Sequence, residues 1–276
     1  MNGMRPRLYT DDIWSILAYS ASEEWSIAVL KTYFDGSGAE HDPNEKAIVL
    51  AGYVADCETW SAFENDWAEV LRQHDAPPWH STDAMLLRGD FTHWDDARVD
   101  ALLVNLIQVA DSCKELFGCA CAVLLDDHAD VSRKRRILSP SHLCADFCVS
   151  AVQWYRPQET DFQMFFDWNE PFLKHIDKQW RNRRSRKSRP YLEKIKMLAA
   201  IQPPKPHALQ CADMLAWRVA ARWRGKLVSR PFGRLLSAPI QSCLWDRDTL
   251  LAKPWAAKPV CELTGTPAQY YSGKPV

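Results

Sequence analysis

The sequence predicts an α/β fold on three observations. Apolar, β-prone runs alternate along the chain with stretches whose apolar residues recur at helical spacing. The first two runs, Ala28 to Phe34 and Ala47 to Ala55, are separated by a polar connection and read as paired strands. The composition, 47% hydrophobic and 25% charged over 276 residues, is that of an ordinary globular chain with enough length for a substantial core. One main domain over residues 26–228 is expected, after an N-terminal extension (1–25) and before an irregular C-terminal tail (229–276).

Taken in order, the first run closes at Asp35-Gly36-Ser37-Gly38, where glycine lets the backbone turn. Trp60, Phe63, Trp67, Val70 and Leu71 then mark an amphipathic helix, with Asp56 as its N-cap, and Pro77-Pro78 breaks it. A second helix is expected from Ala97 to Leu116, with Leu102, Leu103, Leu106, Val109 and Ala110 on its apolar face. Phe117 to Leu125 reads as a buried strand and His142 to Trp154 as a helix. Phe162 to Phe166 is a short aromatic strand ending at Asp167. Asn169 and Pro171 suit the start of a helix that carries a basic run and ends before Pro190. A strand is expected within Tyr191 to Ile201, a break at Pro203-Pro204-Lys205-Pro206, and a helix from Leu209 to Trp223.

A formal net charge of −1 gives no global attraction to a polyanion, so nucleic-acid binding has to rest on local clusters. Two exist. Arg133, Lys134, Arg135 and Arg136 are consecutive, and Arg181, Arg183, Arg184, Arg186, Lys187 and Arg189 supply six of nine residues. With Trp180 beside it, the second run can join phosphate contacts to base stacking, although such runs also occur on ordinary solvated helices. No window approaches the ~20 apolar residues of a membrane span, so no membrane partner is expected. Arg5 and Arg7 before the run Ile13 to Ala21 faintly imitate a signal peptide, but Asp11 and Asp12 interrupt the charge pattern. Nine cysteines read as buried thiols of a cytoplasmic protein; neither Cys119/Cys121 nor Cys144/Cys148 with His142 matches a standard zinc spacing.

Three acids carry the chemistry. Asp213 shares a helical face with Leu209, Ala216, Trp217 and Ala220, so its carboxylate needs a cation, a metal or hydrogen-bond donors beside it; a structural ion pair with arginine answers the same need. Asp35 precedes Gly-Ser-Gly, which brings amides and the Ser37 hydroxyl close to anything bound there, or simply makes a turn. Asp167 ends its strand and either caps the next helix or joins a site, with Glu170 as a further acid. Acids at strand ends, met by an acid on a packed helix, can hold a hard divalent cation through oxygen ligands.

Tyr33-Phe34-Asp35-Gly36-Ser37-Gly38, Leu50-Ala51-Gly52-Tyr53-Val54, Trp79-His80-Ser81-Thr82-Asp83, Phe166-Asp167 and Leu209-Gln210-Cys211-Ala212-Asp213-Met214-Leu215-Ala216 follow one another in an order that resembles the domain-of-unknown-function family 3800 (DUF3800). The resemblance covers roughly Lys31 to Arg224. Its Asp-x-Ser-Gly element and closing motif are fairly specific, whereas Phe-Asp is not. Gly36 departs from the pattern, since an acid is common there. The resemblance implies a ribonuclease H-like mixed sheet flanked by helices and a nuclease or phosphodiesterase that uses Mg²⁺ or Mn²⁺ on DNA or RNA. Asp35, Asp167 and Asp213 would be the principal ligands and Glu170 a reserve. His80 would line the site with Asp83, although a histidine after two prolines can equally anchor a loop. Ser37, Gln210 and the basic run from Arg181 would contact substrate. The alternative is a nucleic-acid-binding or regulatory protein that keeps the fold without catalysis.

Overall fold

The computed structural model describes residues 30–155, 161–168, 171–182, 190–221, 223 and 240–251. The expected N-terminal extension lies outside them. Six strands form one mixed sheet: β1 (Leu30–Ser37), β2 (Ala47–Ala55), β3 (Phe117–Leu124), β4 (Phe162–Asp167), β5 (Ile195–Ile201) and β6 (Ile240–Trp245). Their order is β5-β4-β1-β2-β3-β6, which makes β1 central. Only β2 runs against the others, pairing antiparallel with β1 and β3; β4, β5 and β6 continue the sheet in parallel. Five strands therefore present their carboxyl ends at one edge of the sheet.

Helices cover both faces. All nine residues of β2 are buried, as required of a strand enclosed on two sides. Alternate residues separate cleanly. Val49, Ala51, Tyr53 and Ala55 face a core built with α1 (Cys57–Gln73), α3 (Asp96–Ser112) and α7 (His207–Ala221). Ile48, Leu50 and Val54 face a second core with α5 (Pro140–Tyr155) and α6 (Pro171–Arg181). The short helices α2 (Ser81–Met85), α4 (Leu125–Ser132) and α8 (Arg247–Leu251) and two 3-10 turns (Gly89–Phe91 and Pro190–Lys194) complete the described elements. Gly52 is where β1 and β2 meet most closely: a Cβ there would stand 2.0 Å from the Tyr33 carbonyl oxygen and 2.9 Å from Phe34 Cα. No side chain fits that approach without displacing a strand.

Most expected elements are present, and the exceptions have physical reasons. β1 continues through Gly36 and Ser37, because these pair with Leu50 and Val49 of β2; the turn is delayed to Gly38, whose φ is 94°. α1 begins as expected, with Asp56 accepting a hydrogen bond from the Thr59 amide at 2.7 Å. α3 stops at Ser112 instead of reaching Leu116, since Cys113 takes a non-helical conformation. α6 stops at Arg181, the first residue of the basic run it was expected to carry. The anticipated irregular tail contains β6, which pairs with β3 from Gly118 to Val123 and so belongs to the main sheet. Cys119, Cys121, Cys144 and Cys148 are free and buried, as expected of core thiols; the Sγ atoms of Cys144 and Cys148 contact the carbonyls of Ile48, Cys121 and Leu50. No helix among the described residues is long and apolar enough to cross a membrane.

Candidate acid site at the strand ends

The parallel pairing of β1 with β4 matches Tyr33 with Phe165 and Phe34 with Phe166. Asp35 and Asp167 are the next step in that register. Side chains alternate along a strand, so both carboxylates point to the face where Tyr33 stacks on Phe165 with ring centroids 5.1 Å apart. That is also the face covered by α7, which carries Asp213. Asp35 and Asp167 are thereby brought to one end of the face that the helix of Asp213 covers, at the carboxyl ends of parallel strands where open α/β sheets place their ligands.

Each acid has an oxygen held by a backbone amide. Asp35 Oδ1 accepts from Gly36 N at 2.8 Å and Asp167 Oδ1 from Trp168 N at 2.8 Å. Asp213 Oδ2 accepts from Ser81 N at 2.6 Å, in the first turn of α2. These charge-assisted bonds fix the orientation of the carboxylates. Asp213 is 8% exposed, so its burial on an apolar helix is compensated by this bond and by a nearby positive charge.

That charge is Lys205. Its Nζ lies 2.8 Å from Asp167 Oδ2 and 3.3 Å from Asp35 Oδ2. Burial works against the ammonium, but the carboxylates of Asp35 and Asp213 and the hydrogen bond to Asp167 outweigh it and hold the lysine above its ordinary range. In sequence, Pro203-Pro204-Lys205-Pro206 reads only as a breaker. The usable signal is a lone cation between prolines, directly before the helix that buries Asp213: prolines restrict the backbone on both sides and fix where the side chain departs.

Gln210 builds the support beneath. It is 1% exposed, and its Nε2 donates to the Lys205 carbonyl at 3.1 Å. Its Oε1 accepts from Trp67 Nε1 at 3.1 Å and from Trp79 N at 2.8 Å. The amide expected to meet substrate is thus engaged inside the protein, where it ties α1, the Trp79–Ser81 segment and the lysine loop to α7. Glu64 anchors the same helix, accepting from the His207 and Ala208 amides at 3.1 Å each. Neither role has a periodic signature in sequence.

The other expected residues are more scattered. His80 is half-exposed at the start of α2, with Nδ1 3.1 Å from Asp83 Oδ2; the bond from Ser81 to Asp213 anchors the backbone beside it. Ser37 sits at the end of β1, partly exposed, two residues beyond Asp35. Glu170, Arg183, Arg184, Arg186, Lys187 and Arg189 lie outside the described residues.

Arg181 is exposed and pairs with Asp177 at 2.7 Å. It does not stand on the side of the acids. α6 returns from the carboxyl end of β4 to the start of β5, and Trp180 Nε1 donates to Ile195 O, whose residue pairs with Phe162 at the opposite end of β4. Arg133 to Arg136, by contrast, are exposed and follow β3 and α4, beyond the carboxyl end of a strand that runs with β1. A pocket of about 440 Å³ is lined by Glu40, His41, Asp42, Asp126 and His128, among others, and by none of the three acids.

No protein-family model and no curated protein matches the chain. The chemistry has to come from the site itself. Among the described residues, no three His, Cys, Asp or Glu side chains stand together as a ready-made metal cage. Asp35 and Asp167 nevertheless direct oxygens at one cation, and the charge of Asp213 acts on the same ammonium. An all-oxygen donor set around a positive centre fits a hard divalent ion in ligand type.

Proposed function

We propose that this chain is a ribonuclease H-like, divalent-metal-dependent nuclease or phosphodiesterase acting on DNA or RNA, in keeping with its family resemblance. The observation that carries the reading is that Asp35 and Asp167 direct oxygens at one ammonium, on which the charge of Asp213 also acts. The adjacency of β1 and β4 also supports it, since the two motif acids have to share a sheet for the reading to survive.

Asp35 and Asp167 would hold Mg²⁺ or Mn²⁺ through Oδ2, with Asp213 adding negative charge and the amides of Gly36, Trp168 and Ser81 preventing the carboxylates from rotating away. When bound, such an ion supplies an activated water and neutralises charge on the leaving oxygen of a phosphodiester. Trp168 is 46% exposed directly after Asp167, and its ring offers a surface on which a base can stack. His80, beside the segment bound to Asp213, is placed to orient substrate or carry a proton.

Thermal unfolding with and without Mn²⁺, alongside cleavage of mixed DNA and RNA substrates, tests this reading in wild type and Asp213→Asn. Asparagine keeps the volume and one acceptor oxygen but removes a charge, so metal-linked stabilisation and cleavage should fall together while the fold persists. Absence of both in the wild-type protein would sink the nuclease reading. A second reading, nucleic-acid binding without catalysis, is favoured by one observation: Lys205 already neutralises Asp35 and Asp167 inside the protein. Metal-independent binding without cleavage would select it.

A further inference from the structure

We propose that Lys205 is the resident cation of the acid site and that a divalent ion enters by exchange with its ammonium. This rests on the metal-site reading above and adds the chain's own competitor for the ion.

The geometry is that of a filled cation position. Lys205 Nζ is within 3.3 Å of Oδ2 of both Asp35 and Asp167, the two acids that the β1–β4 register brings side by side. Its side chain is 16% exposed and that of Asp35 is 4%, so salt screens this contact far less than a surface ion pair. The Oδ1 atoms accept from backbone amides, and the Oδ2 atoms meet the Lys205 ammonium. A hard cation needs the same oxygens. An ion on these oxygens would stand close to the ammonium, and in a partly buried site the repulsion between the two is strong.

The loop is built for exchange by the side chain alone. Gln210 clamps the Lys205 carbonyl, and the flanking prolines limit the backbone. The four-carbon stem retains its rotatable bonds, so the ammonium can swing out without disturbing α7. Divalent-ion affinity is then lowered by the presence of the lysine, and removing its charge raises that affinity. A lysine that only braces the fold predicts no such gain.

The test uses the full chain with Mn²⁺ alone as the probe, measured by calorimetric titration and by the shift in melting temperature. Lys205→Met keeps the stem and removes the charge; Lys205→Arg keeps the charge. We expect Lys205→Met to bind Mn²⁺ roughly tenfold more tightly than wild type or better, with Lys205→Arg at or below wild-type affinity. Binding by Lys205→Met where wild type binds too weakly to measure gives the same answer. Should Lys205→Met be unfolded, refolding on addition of Mn²⁺ supports the exchange and failure to refold overturns it. Wild-type binding that is unchanged or weakened in Lys205→Met overturns the exchange and leaves the metal site standing. No Mn²⁺ binding by either protein overturns both.

Discussion

The two ends of the β1–β4 strand pair carry charge in different ways. At the carboxyl end, Asp35, Asp167 and Lys205 are largely removed from water and depend on one another, while Asp213 hangs from the helix above. At the amino end, exposed Arg181 pairs with half-exposed Asp177 within one helix, and exposed Lys196 of β5 meets partly buried Asp161 just before β4. Exposed pairs contribute about 0–1 kcal/mol and need no particular fold around them. Charges buried together require fixed partners, and here those partners come from β1, β4, the loop before α7, and α7 itself. The carboxyl end is therefore where the chain has placed an arrangement that stability alone does not demand.

The largest expected effect probes the scaffold under that end. Trp67 is fully buried and donates to Gln210, which in turn holds the lysine loop. Trp67→Ala should cost about 3–5 kcal/mol in denaturant unfolding. Trp180, at the amino end, is only partly buried, and Trp180→Ala should cost clearly less. Equal losses would erase the contrast between the two ends.

How far the sequence reveals this contrast depends on range. Local chemistry is legible: Asp56 caps α1, β2 has the bounds of its apolar run, and Asp213 on an apolar helical face requires a compensating charge. The identity of that compensation is not. It comes from a lysine with no period and no motif, and from the amide of Ser81, 132 residues away. β6 escapes a reading of local pattern because an edge strand among prolines and glycines gains its ladder only from β3. Arg181 reads in sequence as a partner of the acids, and only the parallel crossover from β4 to β5 shows that the carboxyl end of α6 lies at the other end of the strands.

Smaller effects sharpen the electrostatic side. Asp167→Asn, measured in chelator, should destabilise by about 1–3 kcal/mol, because a buried ammonium is deprived of its shortest ionic partner. Asp177→Asn should stay within about 0.5 kcal/mol, as exposed substitutions do. The pH dependence has a definite sign. Since Lys205 is held above its ordinary range, its contribution is fully present below the unfolded lysine value of about 10.4 and is lost only as pH rises through the folded value. The stability difference between wild type and Lys205→Met should thus be level from neutral pH to about pH 10 and shrink above it. A difference that vanishes nearer neutrality would mean that the carboxylates do not hold the proton on this lysine.

The smallest stability effects belong to the two basic regions, yet these divide the ends most sharply in binding. Lys134 and Arg136 are exposed beyond the carboxyl end of β3, two strands from β1; Arg181 is exposed at the amino end of β4. Reversing any one of them to Glu should change stability by no more than about 0.5 kcal/mol. A polyanion that reaches the acids has to cross the carboxyl edge, so Lys134→Glu with Arg136→Glu should weaken its binding. For every phosphate the protein no longer neutralises, the slope of log affinity against log salt should become shallower by about 0.9 on duplex DNA. Arg181→Glu should leave both affinity and slope near wild type. Salt titrations of wild type and the two variants on one duplex, followed by fluorescence anisotropy, read this directly. If Arg181→Glu alone flattens the slope, nucleic acid lies along the amino edge, and the acids at the carboxyl edge are not what it approaches.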